Sequence, residues 1–284
     1  MSALETIEAP NGAVFPLGCL VPESFPTHYR AFADAFQGEM LTLAQVRAAL
    51  VSFNFRSMYG RRERFAGMLY IRNQRSFGSC NGWSTAGALS RMRELRGEPY
   101  VCLSGADAYS QMNGGRDNGS TLEDGLKVVE ANGIAPESLV PWDHVYTHQI
   151  SAEAKAARAR FKGLTCYAVD TEEELATALV LGRLGVVAVH ASSSYMREDA
   201  DGVCLPSNGV GNHSTGVQDI RLQPDGTLNY DEFGSWDVSN HTGGYTWLTW
   251  NRHFRESVKY HRFWVLVSTT DDAQDDSAPP KAKE

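Results

Sequence analysis

The chain has 284 residues, of which 42% are hydrophobic and 21% are charged, as is ordinary for a globular protein. Its net charge of −8 argues against nucleic-acid binding that depends on phosphate contacts, because such binding needs a basic surface. No apolar run approaches the roughly 20 residues of a membrane span, and Glu5 and Glu8 interrupt the region where a secretion signal would be apolar. We therefore expect neither nucleic acid nor membrane among the partners.

The cysteine and histidine patterns argue against a disulfide scaffold and against a metal centre. Five cysteines are scattered along the chain without a Cys-x-x-Cys pair, and the eight histidines show no metal-ligand spacing. We predict free thiols in a reducing compartment such as the cytoplasm, with neither a metal nor another cofactor. The cysteines are Cys19, Cys80, Cys102, Cys166 and Cys204.

Residues 1–65 are predicted to form an N-terminal extension with helices. An arm rich in proline and glycine runs to about residue 24. Apolar residues then recur at helical spacing between Thr27 and Asn54, where Thr42 is a suitable N-cap. The segment 56–64 contains four arginines, which favours a solvated connector, with a docking surface as the alternative.

Residues 66–162 show mainly helical patterns and are predicted to form a helical lobe. An extended segment over 65–71 leads into a loop that is rich in small residues. Ser104 is a suitable N-cap for a short helix, and Gly133 is typical of a helix C-terminus. The predicted helices cover 84–96, 105–112, 122–132 and 152–162.

Residues 163–268 show mainly strand patterns and are predicted to form a β lobe. One helix is predicted over 172–181, and the turn pairs Asp225-Gly226 and Gly243-Gly244 lie between predicted strands. Residues 269–284 are charged and lack apolar anchors, which predicts disorder. Helices followed by strands indicate an α+β fold with two lobes. The predicted strands are 164–169, 185–190, 213–222, 227–236, 244–250 and 263–268.

The loop before the helix predicted over 84–96 holds the candidate reactive group, Cys80. A thiol at the first turn of a helix lies where free N–H groups and the helix dipole favour the thiolate, which is the reactive form. Gln74, six residues earlier, is placed to donate its side-chain amide to an oxyanion. A lone cysteine is more often a buried, inert thiol, so the assignment depends on the rest of the chain.

Several motifs, in order, resemble those of the papain-like cysteine peptidases. The run from Gln74 to Ser84 resembles Gln-Gly-Ser-Cys-Gly-Ser-Cys-Trp-Ala-Phe-Ser, with Gln74 on the oxyanion glutamine and Cys80 on the nucleophile. Asn212-His213-Ser214 resembles the Asp-His-Ala that carries the base histidine. Asn118-Gly119-Ser120 resembles the family's Asn-Gly-Gly, which lines the substrate groove, and Asn132-Gly133-Ile134 resembles the family's Tyr-Gly-Ile at a helix exit. Gly234-Ser235-Trp236, followed by Gly244-Tyr245, resembles the family's Asn-Ser-Trp-Gly and its later Gly-Tyr.

The resemblance covers about residues 66 to 268 and implies a helical N-terminal lobe beside an antiparallel, β-barrel-like C-terminal lobe. It implies that Cys80 and His213 meet across the cleft between the lobes. A protonated His213 would lower the pKa of the Cys80 thiol and form an ion pair with the thiolate. Gln74 and the backbone N–H of Cys80 would receive the charge that develops on the substrate oxygen, each worth ~10²–10³ in rate.

The chain departs from the family at the residue that orients the histidine. The family has an asparagine there, and this chain has Gly234, which has no side chain. Trp236, which shields the histidine's outer hydrogen bond in the family, is kept. In the serine triad a change at the orienting residue costs ~10⁴ in kcat. Four nearby polar residues are candidates to replace it, with no spacing that favours any of them: Asp231, Ser235, Asp237 and Asn240.

Other departures concern the groove and the covalent framework. Phe77 and Asp117 occupy two positions that form a disulfide in secreted relatives, in agreement with free thiols. Asn81 replaces the tryptophan that follows the nucleophile in the family, and Ser120 replaces the second glycine of the groove motif. The Ser120 side chain is expected to narrow the strip of the groove where the substrate backbone pairs. Residues 1–65 lack the long charged helical pattern of a pro-segment, so we predict a structural extension and not an inhibitor.

Two functions are compatible with these observations. The first is a thiol peptidase, or a related hydrolase, that cleaves peptide or protein substrates through Cys80 and His213. The second is a catalytically weak or inactive papain-fold protein with a structural or binding role, for example a virion component of a bacteriophage that contacts other structural proteins. Gly234 and the altered groove favour the second, whereas the retained Gln74, Cys80 and His213 favour the first.

Overall fold

The computed structural model describes residues 4–24, 30–65 and 70–269, so the tail predicted to be disordered and most of the segment 65–71 lie outside the described residues. The N-terminal extension begins with a two-stranded hairpin that the sequence did not predict, and three short helices follow it. They are β1 (Thr6–Glu8), β2 (Val14–Pro16), α1 (Phe32–Ala35), α2 (Leu43–Val51) and α3 (Arg61–Arg64).

Four α-helices make up the first lobe, close to the predicted positions. The longest helix begins four residues earlier than predicted, so that Cys80 is its first residue. The last helix ends earlier than predicted and continues as a 3₁₀ turn through Arg160. The four helices are α4 (Cys80–Leu95), α5 (Gly105–Met112), α6 (Leu122–Ala131) and α7 (Ala152–Ala157).

The second lobe is a six-stranded antiparallel sheet with one helix against it. The strand order is β3-β8-β4-β5-β6-β7, so β3 and β7 are the two edges and hydrogen bonds among the described residues do not close the sheet into a barrel. The α+β fold class is confirmed. The elements are β3 (Gly163–Val169), α8 (Glu172–Val180), β4 (Leu184–Val189), β5 (His213–Leu222), β6 (Leu228–Phe233), β7 (Tyr245–Thr249) and β8 (Phe263–Thr269).

The helix ends follow from local side-chain chemistry that the sequence displays. The hydroxyls of Thr42 and Ser104 accept hydrogen bonds from backbone N–H groups of their helices' first turns, as predicted. Gly133 follows α6 and has a φ of +77°. This is the left-handed conformation that commonly ends a helix. None of the helices among the described residues is both long and apolar enough to cross a membrane.

The helix α4 crosses the face of β5, and polar pairs join the two. The side chains at positions 80, 84 and 91 of the helix lie on one face, because residues four and eleven apart recur at the helical period. Ser84 and Ser214 are 2.7 Å apart at their hydroxyl oxygens, and the Arg91 guanidinium donates to the Gln218 side chain at 3.0 Å. These contacts fix the start of α4 against the start of β5.

Two of the four arginines of segment 56–64, Arg61 and Arg62, are withdrawn from solvent, which corrects the interpretation of the segment as a solvated connector, whereas Arg56 and Arg64 are exposed. Arg61 is only 2% exposed, and its guanidinium donates to the carbonyls of Gly182, Arg183 and Gln218. Arg62 forms a 2.6 Å ion pair with the fully buried Asp231. The sequence shows only the positive charge of these arginines. Arg61 and Arg62 can be buried because β5 and β6 bring hydrogen-bond acceptors to their guanidinium groups.

Candidate active site

The first turn of α4 presents the thiol of Cys80. The residue before it, Ser79, does not cap the helix, because its hydroxyl accepts a 3.1 Å hydrogen bond from the Trp83 indole instead. The first N–H groups of α4 therefore remain directed at the cleft, where they favour negative charge. Cys80 itself has no exposed surface.

The strand β5 brings its first residues against this thiol. The backbone N–H of Ser214 lies 3.4 Å from the Cys80 sulfur, and Ser214 directly follows His213. His213 is fully buried and is packed on Trp236, with ring centroids 3.9 Å apart and a 30° angle between the planes. Tyr195 meets the His213 ring at 6.2 Å with its edge. The Cys80 sulfur therefore meets the backbone next to His213, whereas neither ring nitrogen of His213 hydrogen-bonds the thiol or any other described group.

Gln74 lies at the same cleft, and both ends of its side-chain amide are occupied. Its Oε1 accepts a 2.8 Å hydrogen bond from Ser235, which fixes the orientation of the amide. Its Nε2 donates to the carbonyls of Phe77 and Pro16, each at 2.9 Å. The amide that was predicted to bind an oxyanion therefore binds a backbone carbonyl of the N-terminal extension.

Residues 16–20, the cleft segment, run through the cleft as an extended peptide. The N–H of Cys19 donates to the carbonyl of Asn212 at 3.1 Å. Ser120 uses both of its backbone groups, since its N–H donates to Gly18 at 2.8 Å and its carbonyl accepts from Leu20 at 2.9 Å. The N-terminal extension therefore lies in the cleft between Ser120 and Asn212, a position that the sequence did not predict.

Two glycines allow this close approach. A Cβ on Gly18 would lie 1.8 Å from the carbonyl oxygen of Gly78, which is rigid backbone of the nucleophile loop. A Cβ on Gly119, whose φ is +82°, would lie 2.4 Å from the carbonyl oxygen of Gly18. The cleft segment thus fits only because neither position carries a side chain.

The closed cleft keeps the thiol and the imidazole neutral. Burial raises the pKa of Cys80, and hydrogen bonds from the backbone N–H groups of Ser214, Gly18 and Asn81 oppose that rise. Burial, followed by the nearby His241, lowers the pKa of His213 to about 3. Desolvation penalises the charged form of both groups, so the buried site favours a neutral thiol and a neutral imidazole over the ion pair.

The groove departures Asn81 and Ser120 are partners in the structure. The Asn81 amide donates to the Ser120 hydroxyl at 3.2 Å and to the Thr121 carbonyl at 2.5 Å. The Ser120 side chain is therefore directed toward α4 and not into the groove, so the predicted narrowing of the strip is wrong. Of the predicted groove residues, Gly119 and Ser120 line the cleft segment, whereas Asn118 is exposed to solvent.

A hydrogen bond joins the two loops that a disulfide would link in secreted relatives. The backbone N–H of Gly78 donates to the Asp117 carboxylate at 2.9 Å, and the same oxygen accepts from the Tyr109 hydroxyl at 2.7 Å. The five cysteines are all free thiols. Asp117 thus connects the nucleophile loop to the groove loop without a covalent bond.

Sequence reasoning missed several contributors to the site. No local pattern reveals these groups, because they take part through backbone hydrogen bonds or through contacts between distant residues. They are the carbonyl of Asn212, the hydroxyl of Ser235 and the peptide groups of residues 16–20. The hairpin β1–β2 positions the segment, since the N–H of Leu17 donates to the Glu5 carbonyl at 2.8 Å. The glycine before Cys19 was the available signal, because glycine marks a close backbone approach.

Comparisons with known proteins agree with this geometry. The family model described as papain family cysteine protease matches residues 56–256. Xylellain, a cysteine protease from Xylella fastidiosa, superposes with a TM-score of 0.65 at 16% identity, over 94% of this chain and 98% of that one. A search of curated proteins finds no match.

Two plant proteases are also similar in fold. The Amb a 11 cysteine protease of ragweed pollen, solved in its proform, has a TM-score of 0.59 and 19% identity over 72% of this chain and 62% of that chain. The bromelain protease from Ananas comosus has a TM-score of 0.59 and 14% identity over 73% of this chain and 96% of that one. The match of the family model over most of the chain decides the assignment: the protein belongs to the papain family of cysteine proteases.

Proposed function

We propose that the protein is a thiol peptidase that cleaves peptide bonds in peptide or protein substrates and that its own N-terminal segment keeps it closed. The observation that carries this proposal is the cleft segment, an extended peptide held by its backbone between Ser120 and Asn212, beside the Cys80 sulfur. A groove that binds one peptide backbone in this way is suited to bind another. The hydrogen bonds reach backbone groups of the bound peptide, which every peptide substrate carries.

The chemistry requires the segment to leave first. Once water enters, His213 regains basicity, takes the proton of the Cys80 thiol and forms the ion pair. The thiolate then attacks the scissile carbonyl carbon, and the Gln74 amide together with the Cys80 N–H receives the negative charge on the carbonyl oxygen. His213 returns the proton to the leaving amine, and water, deprotonated by His213, releases the acyl group from the sulfur.

The test is the rate at which the full chain carrying Gly18→Val hydrolyses a fluorogenic peptide amide. The Gly18→Val change is expected to displace the cleft segment. Adding Cys80→Ser is expected to lower the rate by ~10³ or more, because the weak serine nucleophile lacks a matched base. Cys102→Ser is the matched control, since Cys102 is half-buried and its thiol, which donates to Glu137, has a pKa raised to about 11 by burial. Equal rates for the two serine variants would contradict the assignment.

A structural or binding role is the second candidate, favoured by Gly234 and by the filled groove. Under it the chain is inactive and contacts other proteins of an assembly, such as a bacteriophage virion, instead of a substrate. Sedimentation of the protein alone and with particles of its source distinguishes the two. A monomer that hydrolyses peptides and joins no particle excludes this role.

A cytoplasmic location remains a prediction that rests on the free thiols.

A further inference from the structure

The base histidine lacks the partner that would orient it. Residue 234, where the family has its orienting side chain, is glycine. Both ring nitrogens of His213 are buried, and neither has a hydrogen-bond partner among the residues that the structure describes. A buried imidazole without a partner is free to adopt a rotamer or tautomer that cannot serve the thiol.

Three of the polar residues near Gly234 have other partners. The Ser235 hydroxyl donates to Gln74 at 2.8 Å. Asp231 accepts from Arg62 and from the Gln218 amide, on the opposite face of β6 from the histidine. Asp237 accepts from the Asn73 amide at 3.1 Å and from the backbone of Val238. None of these side chains is available to His213 without losing a bond that it already makes.

Glu232 borders the space that a side chain at position 234 would take. A Cβ built on Gly234 would lie 3.4 Å from Glu232 Oε1. Glu232 is paired with Val217 across the β5–β6 ladder, and alternation along β5 puts His213 and Thr215 on the same face as Val217. The carboxylate and the imidazole therefore share one face of the sheet.

The contacts of Glu232 leave one of its oxygens open. The hydroxyls of Tyr195, at 3.0 Å, and Thr215 both donate to Oε1. Oε2 is buried and has no partner among the described residues. The Tyr195 ring also meets the His213 ring in an edge contact, with ring centroids 6.2 Å apart. A buried acceptor without a donor and a buried imidazole without an acceptor thus flank the same tyrosine, and each is costly unless it is satisfied.

We propose that Glu232 is the positioning residue for His213 and replaces the orienting side chain that is missing at position 234. When the cleft is open, its carboxylate accepts the N–H of the ring nitrogen that faces away from Cys80, a hydrogen bond that the closed structure does not contain, and the other nitrogen is left to take the thiol proton. A carboxylate also stabilises the imidazolium, whereas an amide only orients the ring. This inference rests on the proposed function and assigns a residue to the same site.

The electrostatic surroundings of Glu232 place its titration near neutrality. Burial raises the pKa of Glu232 to about 7, and the hydroxyls of Thr215 and Tyr195 oppose the rise. Because ionised Glu232 favours the imidazolium, the pKa of His213 is higher when Glu232 is charged than when position 232 is neutral. The other titratable and charged groups around the two are Tyr195, Glu198, Cys204, Asp231, His241 and Arg62.

The test is the pH dependence of Cys80 alkylation in the full chain carrying Gly18→Val, with and without Glu232→Gln. The parent is expected to react well below the ordinary thiol pKa, because the ion pair supplies thiolate there. Glu232→Gln is expected to lower the rate at about pH 7.5, where Glu232 is ionised and an ordinary thiol is mostly protonated, by about tenfold and to leave the rate at about pH 10 unchanged, since the thiol ionises there without help. Asp231→Asn, the neighbouring buried acid on the other face of β6, is the matched control and should keep the parent profile.

A second variant restores the family arrangement. Glu232→Ala removes the carboxylate beside position 234, and adding Gly234→Asn supplies an orienting amide there, because the φ of Gly234 is not positive. The pair is expected to recover the reactivity at about pH 7.5 that Glu232→Ala alone loses. A parent profile in Glu232→Gln would overturn the assignment of Glu232 and leave the Cys80–His213 pair standing. A parent whose reactivity follows the ordinary thiol pKa would overturn the ion pair itself, and this inference with it.

Discussion

Replacing Gly18 with valine is expected to increase the rate at which iodoacetamide alkylates Cys80 by ~10²–10³. Four hydrogen bonds hold the cleft segment to Gln74, Ser120 and Asn212. At about 1 kcal/mol net for each bond, the seated segment is favoured by ~4 kcal/mol, and every 1.4 kcal/mol is a factor of ten in the equilibrium. The Cβ of valine would meet the Gly78 carbonyl oxygen at 1.8 Å, so the segment cannot remain seated.

The measurement is the alkylation rate of the Cys80 peptide, followed by mass spectrometry. Gly38→Val is the matched control, because a Cβ on Gly38 meets nothing within 4 Å and Gly38 lies in the same N-terminal extension. Cys166, which is buried in β3, reports on global unfolding and should stay slow in both variants. Equal Cys80 rates in the two valine variants would show that the cleft segment does not control access.

Replacing Arg61 with leucine is expected to lower the free energy of unfolding by about 3–5 kcal/mol, as for other buried charges that lose their partner. Arg61 donates to three backbone carbonyls and faces the fully buried Asp219, which accepts from the backbone N–H groups of Tyr59, Arg61 and Ile220. Leucine would leave the carbonyls without donors and the carboxylate without a neighbouring positive charge.

Chemical denaturation of the leucine variant measures this loss. Arg56→Leu is the control, because Arg56 lies exposed in the same segment, and its effect should stay within about 0.5 kcal/mol. Burial already raises the pKa of Asp219, and the Arg61 charge opposes that rise. Without Arg61 the carboxyl takes up a proton more readily, so the destabilisation should shrink as the pH falls. A loss below about 1 kcal/mol would contradict a buried structural role for Arg61.

Local patterns predicted the elements well where the signal was local. The caps Thr42 and Ser104, the glycine after α6 and the turn pair Asp225-Gly226 between β5 and β6 all lie within a few residues of the feature that they determine. The hairpin β1–β2 was missed, because its strands are three residues long and are too short for any periodicity. Segment 56–64 was misread, since charge in sequence says nothing about the acceptors that β5 and β6 bring to Arg61 and Arg62.

The sequence by itself determined the candidate nucleophile loop, the candidate base position and the glycine at position 234, because each of these lies in a short motif with its neighbours in order. Only the tertiary structure decided which groups meet them. The cleft segment precedes Cys80 by about 60 residues, and Glu232 reaches the space beside Gly234 across a strand ladder. Contacts of this kind depend on register and on the packing of β5 against α4, which no local spacing encodes.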